Sequence, residues 1–268
     1  MFDKKLEIIA LAFAGLLSAC TDYVQNIDNQ YNEWLARTGT VEASLSSSTP
    51  IVVVSSSSTI LQSSPSVVSD SKLVDARDGQ VYKTVTISNQ VWMAENLNFD
   101  ASNSYCYNDN QKYCPTYGRL YTWAAAMDSA GAWSQSGKGC GHGKSCTQSE
   151  NIRGVCPEGW HLPTIVEWSI LFIHVGGGDP AVAGKMLKSR GYWNSVDGLD
   201  AYGFMAIPAG LRYYSGNYRE VGCQTYFWSS TQTSNYNANG VNFGCNSDAA
   251  TTNNQGKNNG FSVRCIKD

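Results

Sequence analysis

One segment of the chain has the pattern of a disulfide anchor, a tight turn and a helix start: Cys156-Pro-Glu-Gly-Trp-His-Leu-Pro-Thr-Ile-Val-Glu-Trp168. Thr164 and Glu167 form a capping box, in which each side chain bonds a backbone N–H group at the start of a helix. Apolar residues then recur at helical spacing, at Ile165, Trp168, Leu171 and Phe172. The glycines at 176–178 end the predicted helix.

A second anchor lies near the other end of the sequence. Gly260-Phe-Ser-Val-Arg-Cys265 has the pattern of a short closing strand, and we predict a disulfide between Cys156 and Cys265. This bond would tie the main helix to the final strand. The long segment between the two anchors would then hold the functional residues. A bond that closes roughly 100 residues contributes on the order of 4–5 kcal/mol in the chain-entropy model.

The composition limits the classes of function. The 268 residues carry a formal net charge of −3, and only 15% of them are charged. A weakly acidic chain lacks the basic surface on which nucleic-acid binding depends. Gly, Asn, Ser and Tyr are plentiful, which is typical of binding modules with many loops and an uncharged polar surface.

The first residues have the pattern of an export signal. Lys4-Lys5 is a basic start, and residues 8–17 form an apolar run that is too short to span a bilayer. Leu17-Ser-Ala-Cys20 resembles the bacterial lipobox, which implies a signal peptide over residues 1–19 and a lipidated Cys20. Thr21 is not the common inner-membrane retention signal, so we expect an exported lipoprotein, anchored to the membrane by its lipid, at the outer membrane or cell surface. The alternative is an ordinary secretory peptide with a chance cysteine.

The other cysteines indicate a disulfide framework. Removing Cys20 from the nine cysteines leaves eight, an even number in an exported chain. Sequence alone permits on the order of 100 ways of pairing them. In addition to the long-range bond, short spacings favour three pairs: Cys106–Cys114, Cys140–Cys146 and Cys223–Cys245.

Composition also divides the chain into parts. After the signal peptide, residues 20–43 form a polar tether, for which a short amphipathic helix is the alternative. Residues 44–71 are rich in serine and are expected to form a flexible linker with a reach of roughly 30 Å. The linker would lift a folded domain, residues 72–268, away from the membrane.

Regular elements are expected in the first half of this domain. Residues 80–87 and 91–93 have the pattern of a β-hairpin, and residues 117–127 show the spacing of a helix. Residues 181–188 add one or two helical turns. Four tryptophans are expected in the core: Trp92, Trp160, Trp168 and Trp228.

The second half is expected to be less regular. Residues 204–210 read as a buried strand that Pro208 interrupts. Residues 232–240 and 246–259 are rich in Asn, Ser, Thr and Gly and are expected to be loops. Short strands are expected at three places: 227–230, 241–243 and 261–263.

Six motifs, in order along the chain, resemble the Fibrobacter succinogenes major paralogous domain. They are Asp78-Gly79, Val91-Trp-Met-Ala-Glu-Asn-Leu97, Tyr117-Gly-Arg-Leu-Tyr-Thr-Trp123, Cys156-Pro-Glu-Gly-Trp-His-Leu-Pro163, Phe227-Trp-Ser-Ser230 and Gly260-Phe-Ser-Val-Arg-Cys265. The resemblance covers about residues 72–268. It implies an exported lipoprotein with a Ser-rich linker, and it implies no particular biochemical role.

A more distant resemblance concerns the fold. His161-Leu-Pro-Thr-x-x-Glu-Trp168 and the closing strand are similar to the C-type lectin-like superfold, which formylglycine-generating enzymes also use. This resemblance implies a disulfide-braced α+β domain with two helices, a small twisted antiparallel sheet and long irregular loops. The resemblance also supports the bond between Cys156 and Cys265. A shared fold by itself does not indicate the function of this chain.

Several chemistries find little support in the residues. Residues 251–259 contain no cysteine for a formylglycine-type oxidase. Residues 140–146 hold two cysteines and His142, which is too few ligands for a zinc site, so a small disulfide loop is preferred. His161 and His174 lack an evident orienting carboxylate and are interpreted as packing residues.

No cofactor and no metal site is predicted, with calcium kept as a possibility. Asp248, Asn242 and Asn246 could supply oxygen ligands, although neutral amides dominate. No phosphate loop or serine-nucleophile motif stands out, and nothing in the sequence argues for an enzyme.

The remaining candidate for function is a surface rich in Tyr and Asn. Tyrosine supplies rigid contact area and asparagine supplies adaptable hydrogen bonds, as in antibody binding loops. We predict non-catalytic binding, with a polysaccharide or a protein at the cell surface as ligand. The alternatives are a solvated loop region of a purely structural envelope protein, or an extracellular, carbohydrate-active enzyme. The predicted ligand-binding residues are Tyr213, Tyr214, Tyr218, Arg219, Tyr226, Asn235, Tyr236, Asn237, Asn239 and Asn242. Asn253 and Asn254 are expected on the same face.

Overall fold

A computed structural model describes residues 71–146 and 151–268. The predictions for the signal peptide, the lipidated Cys20, the tether and nearly all of the linker lie outside the described residues. Within the described residues, the domain is mixed α+β with few helices, two sheets and four disulfides.

The first sheet contains strands from both ends of the domain. They are β1 (Ser71–Val74), β2 (Val81–Ile87), β3 (Gln90–Met93), β6 (Trp160–His161) and β13 (Ile266–Lys267). Their order is β1-β2-β3-β13-β6. The predicted hairpin is confirmed, since β2 and β3 pair in antiparallel register. The last strand lies between β3 and β6, so the end of the domain completes the sheet that its first strands begin.

The second sheet has eight strands. They are β4 (Ser104–Tyr105), β5 (Leu120–Thr122), β7 (Ala209–Arg212), β8 (Tyr218–Val221), β9 (Gln224–Gln232), β10 (Asn237–Gly244), β11 (Ala250–Gly256) and β12 (Gly260–Phe261). Their order is β11-β10-β9-β7-β12-β5-β4, with β8 paired to β7. One pair, β7 with β9, is parallel.

Four α-helices occur in the described residues. They are α1 (Cys114–Tyr117), α2 (Trp123–Ala126), α3 (Ile165–Val175) and α4 (Ala183–Leu187), and 3-10 helices span Tyr107–Asp109, Gln111–Tyr113 and Pro180–Val182. The capping box of α3 is confirmed, because Thr164 Oγ1 accepts from the Glu167 N–H and Glu167 Oε2 accepts from the Thr164 N–H. The helical turns predicted around residues 181–188 are also confirmed.

Aromatic packing holds α3 against both sheets. The ring centroid of Trp168 on α3 lies 4.7 Å from that of Trp92 on β3 and 5.5 Å from that of Phe227 on β9. Trp92, Trp168 and Trp228 are 0% exposed and Trp160 is 7% exposed. The prediction that these four tryptophans belong to the core is therefore confirmed.

The predicted helix over residues 117–127 is wrong. Residues 120–122 form β5 instead, which pairs with β4 on one side and β12 on the other. Gly118 has a φ of 71°, which separates α1 from the strand. The Thr122 side chain accepts a hydrogen bond from the Ala125 N–H, and this N-cap starts a helix of only four residues.

The strand predicted over residues 204–210 is confirmed only at its end, because β7 begins at Ala209. Met205 has a φ of 52°, a left-handed conformation that a regular strand cannot include. The Asp200 carboxylate accepts from the Met205 N–H at 2.8 Å, which holds this irregular backbone in place.

The second half of the domain has more strand than expected. Residues 237–240 belong to β10, and residues 250–256 form β11, which pairs with β10 along all seven of its residues. Asn and Thr-rich sequences without large apolar residues predict loops, but pairing with a neighbouring strand overrides this weak preference. The expected small sheet with long loops is therefore replaced by two sheets with longer strands.

The four disulfides of the described domain are Cys106–Cys114, Cys140–Cys146, Cys156–Cys265 and Cys223–Cys245. These are the pairs expected from the spacings and the two anchors. Cys156 precedes β6, and Cys265 lies between β12 and β13. The long-range bond therefore joins the start of the segment that leads to α3 to the end of the chain, across 109 positions of sequence.

Three cations are buried without a carboxylate partner in residues 71–146 and 151–268. Arg264 and Lys188 are 0% exposed and Lys257 is 1% exposed. Lys188 Nζ donates to the carbonyl oxygens of Val196, Gly244 and Ser247. Arg264 and Lys257 also donate to backbone carbonyl oxygens. Burial lowers the pKa of both lysines.

The described helices are all short. No helix in the described part of the chain is long and apolar enough to cross a membrane.

Removing the long-range disulfide should cost more stability than removing a short one. Cys156–Cys265 spans 109 positions and Cys106–Cys114 spans 8, and all four cysteines are buried. Chain entropy predicts losses of about 5 and about 2.5 kcal/mol in the free energy of unfolding when each pair is replaced by alanine. Urea unfolding of the two double variants measures both losses, and equal losses would contradict this account.

Candidate functional site

A continuous row of hydrogen-bonded side chains crosses three strands of the second sheet. The Tyr226 hydroxyl donates to Gln224 Oε1 at 2.6 Å, and Asn242 Nδ2 donates to the same oxygen at 2.8 Å. The Thr251 hydroxyl donates to Asn242 Oδ1 at 3.2 Å, and Asn253 Nδ2 donates to Thr251 Oγ1 at 3.1 Å. We call these five side chains the amide ladder.

Strand alternation places the amide ladder on one face. Asn242 on β10 lies opposite Tyr226 on β9 and Thr251 on β11. The neighbours of Asn242 in sequence, Val241 and Phe243, point to the other face and are 0% exposed in the core beneath α3. Next to Asn242, the period of two therefore buries apolar residues on one face and places amides on the other.

A shallow cavity of about 250 Å³ adjoins the amide ladder. Its lining residues are all uncharged: Cys223, Gln224, Asn242, Gly244, Cys245, Asn246, Ser247, Ala249 and Thr251. The Cys223–Cys245 disulfide forms part of the wall. Buried Lys188 fixes another part, because its ammonium binds the carbonyl oxygens of Gly244 and Ser247.

Tyr226 is the aromatic member of the amide ladder. Its ring stacks on buried Phe261 with centroids 5.0 Å apart and planes inclined by 23°. Burial raises the pKa of Tyr226 to about 12. The hydroxyl therefore remains a neutral hydrogen-bond donor at physiological pH.

The predicted ligand-binding residues do not form one patch. Tyr226 and Asn242 belong to the amide ladder. Four residues lie on the β7–β8 hairpin: Tyr213, Tyr214, Tyr218 and Arg219. Four others lie in the β9–β10 turn or on the opposite face of β10: Asn235, Tyr236, Asn237 and Asn239. At about 3.4 Å per residue, Asn237 and Asn242 are about 17 Å apart along their strand.

Two members of the amide ladder, Gln224 and Thr251, were missed by sequence reasoning, whereas Asn253 was expected on the Tyr- and Asn-rich face. Gln224, Thr251 and Asn253 fall in segments that read as turn or loop. Their link to Asn242 depends on strand register, which pairs Asn242 with Thr251 across β11. Thr251 and Asn253 are two positions apart, which places their side chains on the same face if the segment is a strand. The sequence did not indicate that this segment is a strand.

The β9–β10 turn packs against the Cys140–Cys146 loop. The ring centroids of His142 and Tyr236 lie 5.1 Å apart. Buried Lys257 holds the loop by donating to the carbonyl oxygens of Gly141 and Lys144. Within the described residues, no group of three or more His, Cys, Asp or Glu side chains could hold a metal ion.

The calcium interpretation remains a prediction. In the structure, the Asp248 carboxylate lies 3.5 Å from Lys185 Nζ. Asn242 Oδ1 accepts from Thr251 within the amide ladder. These two oxygen ligands of the proposed ion are thus engaged with protein groups.

The interpretation of His161 as a packing residue without an orienting carboxylate is wrong. His161 Nε2 lies 2.8 Å from Glu167 Oε1, and Nδ1 lies 2.7 Å from Asp268 Oδ1. The imidazole is buried and joins the start of α3 to the last residue of the chain. Both ring nitrogens are occupied, so His161 is not placed to act as a general base. The contact with Asp268, 107 positions away, leaves no local signal in the sequence.

The fold and the candidate site together define a disulfide-braced α+β domain with an uncharged amide surface. The family model described as the Fibrobacter succinogenes major domain matches residues 85–267. The chain belongs to this family. No curated protein and no solved structure matches it.

The His161 contacts should make stability depend on pH. Burial lowers the pKa of the imidazole, but the hydrogen bonds and charges of Glu167 and Asp268 outweigh burial and raise the pKa above its usual value. The stabilisation is therefore complete below the unfolded pKa of about 6.5 and is lost as the pH rises through the folded pKa. Urea unfolding over this range should show a falling free energy of unfolding in the wild type.

His161→Gln is the matched variant, because glutamine keeps hydrogen-bonding groups but does not titrate. The difference in unfolding free energy between wild type and variant should be largest at low pH and should shrink as the pH rises. The same pH slope in both proteins would refute the assignment.

Proposed function

We propose that this protein is a non-catalytic binding protein of the cell surface, and that its ligand is an uncharged polysaccharide held at the amide ladder. The proposal combines the export signal and Ser-rich linker of the sequence with the side-chain arrangement on β9, β10 and β11. A lectin-like architecture is part of the proposal, on the strength of the resemblance in the closing strand and the α3 segment.

The observation that carries the proposal is the mutual hydrogen bonding of the amide ladder. Each amide group offers two N–H donors and one carbonyl acceptor with two lone pairs. The bonds within the amide ladder use only part of this capacity, and Gln224 Nε2 and Asn253 Oδ1 make no bond to other described residues. The ladder thus presents fixed donors and acceptors, which suits the hydroxyl groups of a sugar and lowers the entropy lost on binding.

The absence of charge in the cavity lining supports a neutral ligand. An anionic ligand would have to give up its hydration without a cation in the lining to replace it. Tyr226 adds an aromatic ring of fixed orientation beside the amides, and aromatic rings pack well on the apolar faces of sugars. A neutral polysaccharide, such as one from plant cell walls, meets both conditions.

Binding should depend on Asn242 and not on Asn239, whose side chain lies on the opposite face of β10. Asn242→Ala removes the central amide of the ladder and should weaken the affinity for a neutral polysaccharide by roughly tenfold, the equivalent of about one hydrogen bond. Asn239→Ala is the matched control, because it changes the same residue type on the same strand but on the other face.

Affinity electrophoresis in gels that contain xylan, mixed-linkage glucan or glucomannan measures the effect. The wild type and Asn239→Ala should be retarded equally, at low and at high salt, whereas Asn242→Ala should migrate faster. No retardation on any polysaccharide would rule out the carbohydrate proposal. An equal loss of affinity in both variants would show that the amide ladder is not the binding site.

A further inference from the structure

β11 is the outermost strand of the second sheet, and only one of its two sides is paired. β10 lies on the inner side, in antiparallel register along the whole strand and without a bulge. No described strand pairs with the outer side. An unpaired side presents backbone N–H and C=O groups to which another strand can bond.

Neighbouring hydrogen bonds show which residues of β11 face outward. In an antiparallel pair, successive residues bond alternately toward the partner strand and away from it. The Lys257 N–H, directly after β11, donates inward to the Tyr236 carbonyl at 3.0 Å. The odd-numbered positions of β11 therefore bond to β10, and the backbone groups of the even-numbered positions point outward.

Both ends of this outer side are occupied, and its centre is open. At one end the Asp248 carbonyl accepts from the Lys185 N–H of α4 at 2.8 Å, and at the other the Gly256 carbonyl accepts from the Asn259 N–H at 3.0 Å. Between them, two residues turn their backbone N–H and C=O groups toward solvent: Thr252 and Asn254.

The other strand edges of the two described sheets are protected against pairing. Short length, charged side chains, proline and bulges are the usual means of protection. β4 and β6 have two residues each, β1 carries Lys72, and β8 carries Arg219 and Glu220. β11 has seven uncharged residues without proline, and those from Thr251 to Asn254 are exposed. The lack of protection on β11 alone indicates an edge that pairs with another strand.

The sequence of β11 fits a second copy of itself. When two β11 strands pair antiparallel about a two-fold axis at Asn253, Thr252 lies opposite Asn254 of the other copy, and Thr251 lies opposite Gln255. Every opposed pair is uncharged and combines hydrogen-bond donors with acceptors. The two pairs formed by Thr252 and Asn254 supply four backbone hydrogen bonds. An unrelated extended peptide would find no apolar pocket for its side chains on this edge.

The same register brings two amide ladders together. Asn253 would lie opposite Asn253 of the other copy in a pair without mutual backbone bonds, the type in which the side chains are closest. Asn253 Nδ2 donates to Thr251 Oγ1 at 3.1 Å, and its exposed Oδ1 is left to accept from the amide of the other copy. The two ladders would then form one row.

We propose that two copies of this domain associate through β11, in antiparallel register centred on Asn253, so that the second sheet continues through both copies. The pairing does not rest on the function proposed for the amide ladder. If the ladder binds a polysaccharide, the joined row crosses six strands and spans about 24 Å. Four backbone bonds make a small interface, so we expect a reversible association that depends on concentration.

Disulfide trapping tests the register in the full chain, with Cys20→Ser to remove the cysteine outside the four disulfides. Asn253→Cys places two cysteines opposite each other with Cα atoms about 4.5 Å apart, within the range of a disulfide. Mild oxidation should therefore give a covalent dimer on non-reducing gels. Thr251→Cys is the matched control, because it is exposed on the same face but would lie about 14 Å from its counterpart, so it should stay monomeric.

Thr252→Pro tests the backbone bonds in the same Asn253→Cys background. Proline removes an N–H that points outward, a change that edge strands tolerate, so the yield of covalent dimer should fall several-fold with little change in Tm. Asn242→Ala, which tests the ladder as a polysaccharide site, should leave the yield unchanged.

Three results would overturn the proposal: no covalent dimer in Asn253→Cys, an equal yield in Thr251→Cys, or a yield that Thr252→Pro does not lower. An equal yield would mean random collision of exposed cysteines. Trapping that succeeds while no polysaccharide retards the protein would support the dimer and count against the function proposed for the ladder.

Discussion

The guanidinium of buried Arg264 joins parts of the chain that are far apart in sequence. It bonds Met93 at the end of β3, the Asn96 side chain, and the backbone of Phe204 and Met205. Burial lowers the pKa of Arg264, and four hydrogen bonds offset the cost of removing the charge from water. Because Arg264 lies between β12 and β13, the same residue fixes the closing segment on which both sheets depend.

Lys188 and Lys257 repeat this arrangement in two other places. Lys188 holds the loop that walls the cavity beside the amide ladder, and Lys257 holds the Cys140–Cys146 loop. In each case an ammonium group binds carbonyl oxygens, so positive charge is placed inside the domain and not on its candidate binding surfaces. The cavity lining beside the amide ladder is uncharged, which matches the low charge of the sequence.

Sequence patterns were informative where the cause of a structure is local. The capping box at Thr164 and Glu167 and the β2–β3 hairpin depend on neighbouring residues, and both were predicted. The sequence around Leu120–Thr122 predicts a helix, and the segment is a strand because it pairs with β4 and β12, which are not its neighbours in sequence. Of the candidate site, Tyr226, Asn242 and Asn253 were expected on the binding face. Strand register decides which polar side chains meet, so the contacts among them could not be predicted. The two carboxylates that contact His161 become neighbours of the imidazole only in the folded domain.

The closing segment is fixed by the planar array of N–H donors on the Arg264 guanidinium, and not by the positive charge alone. Arg264→Lys keeps the charge but cannot reach the oxygen atoms of Asn96, Met93 and Phe204 together, because a lysine has one nitrogen on a longer flexible stem. Urea unfolding should show a loss of about 3–5 kcal/mol in the free energy of unfolding, the usual cost of disrupting a buried, hydrogen-bonded charge. A lysine variant as stable as the wild type would contradict the claim.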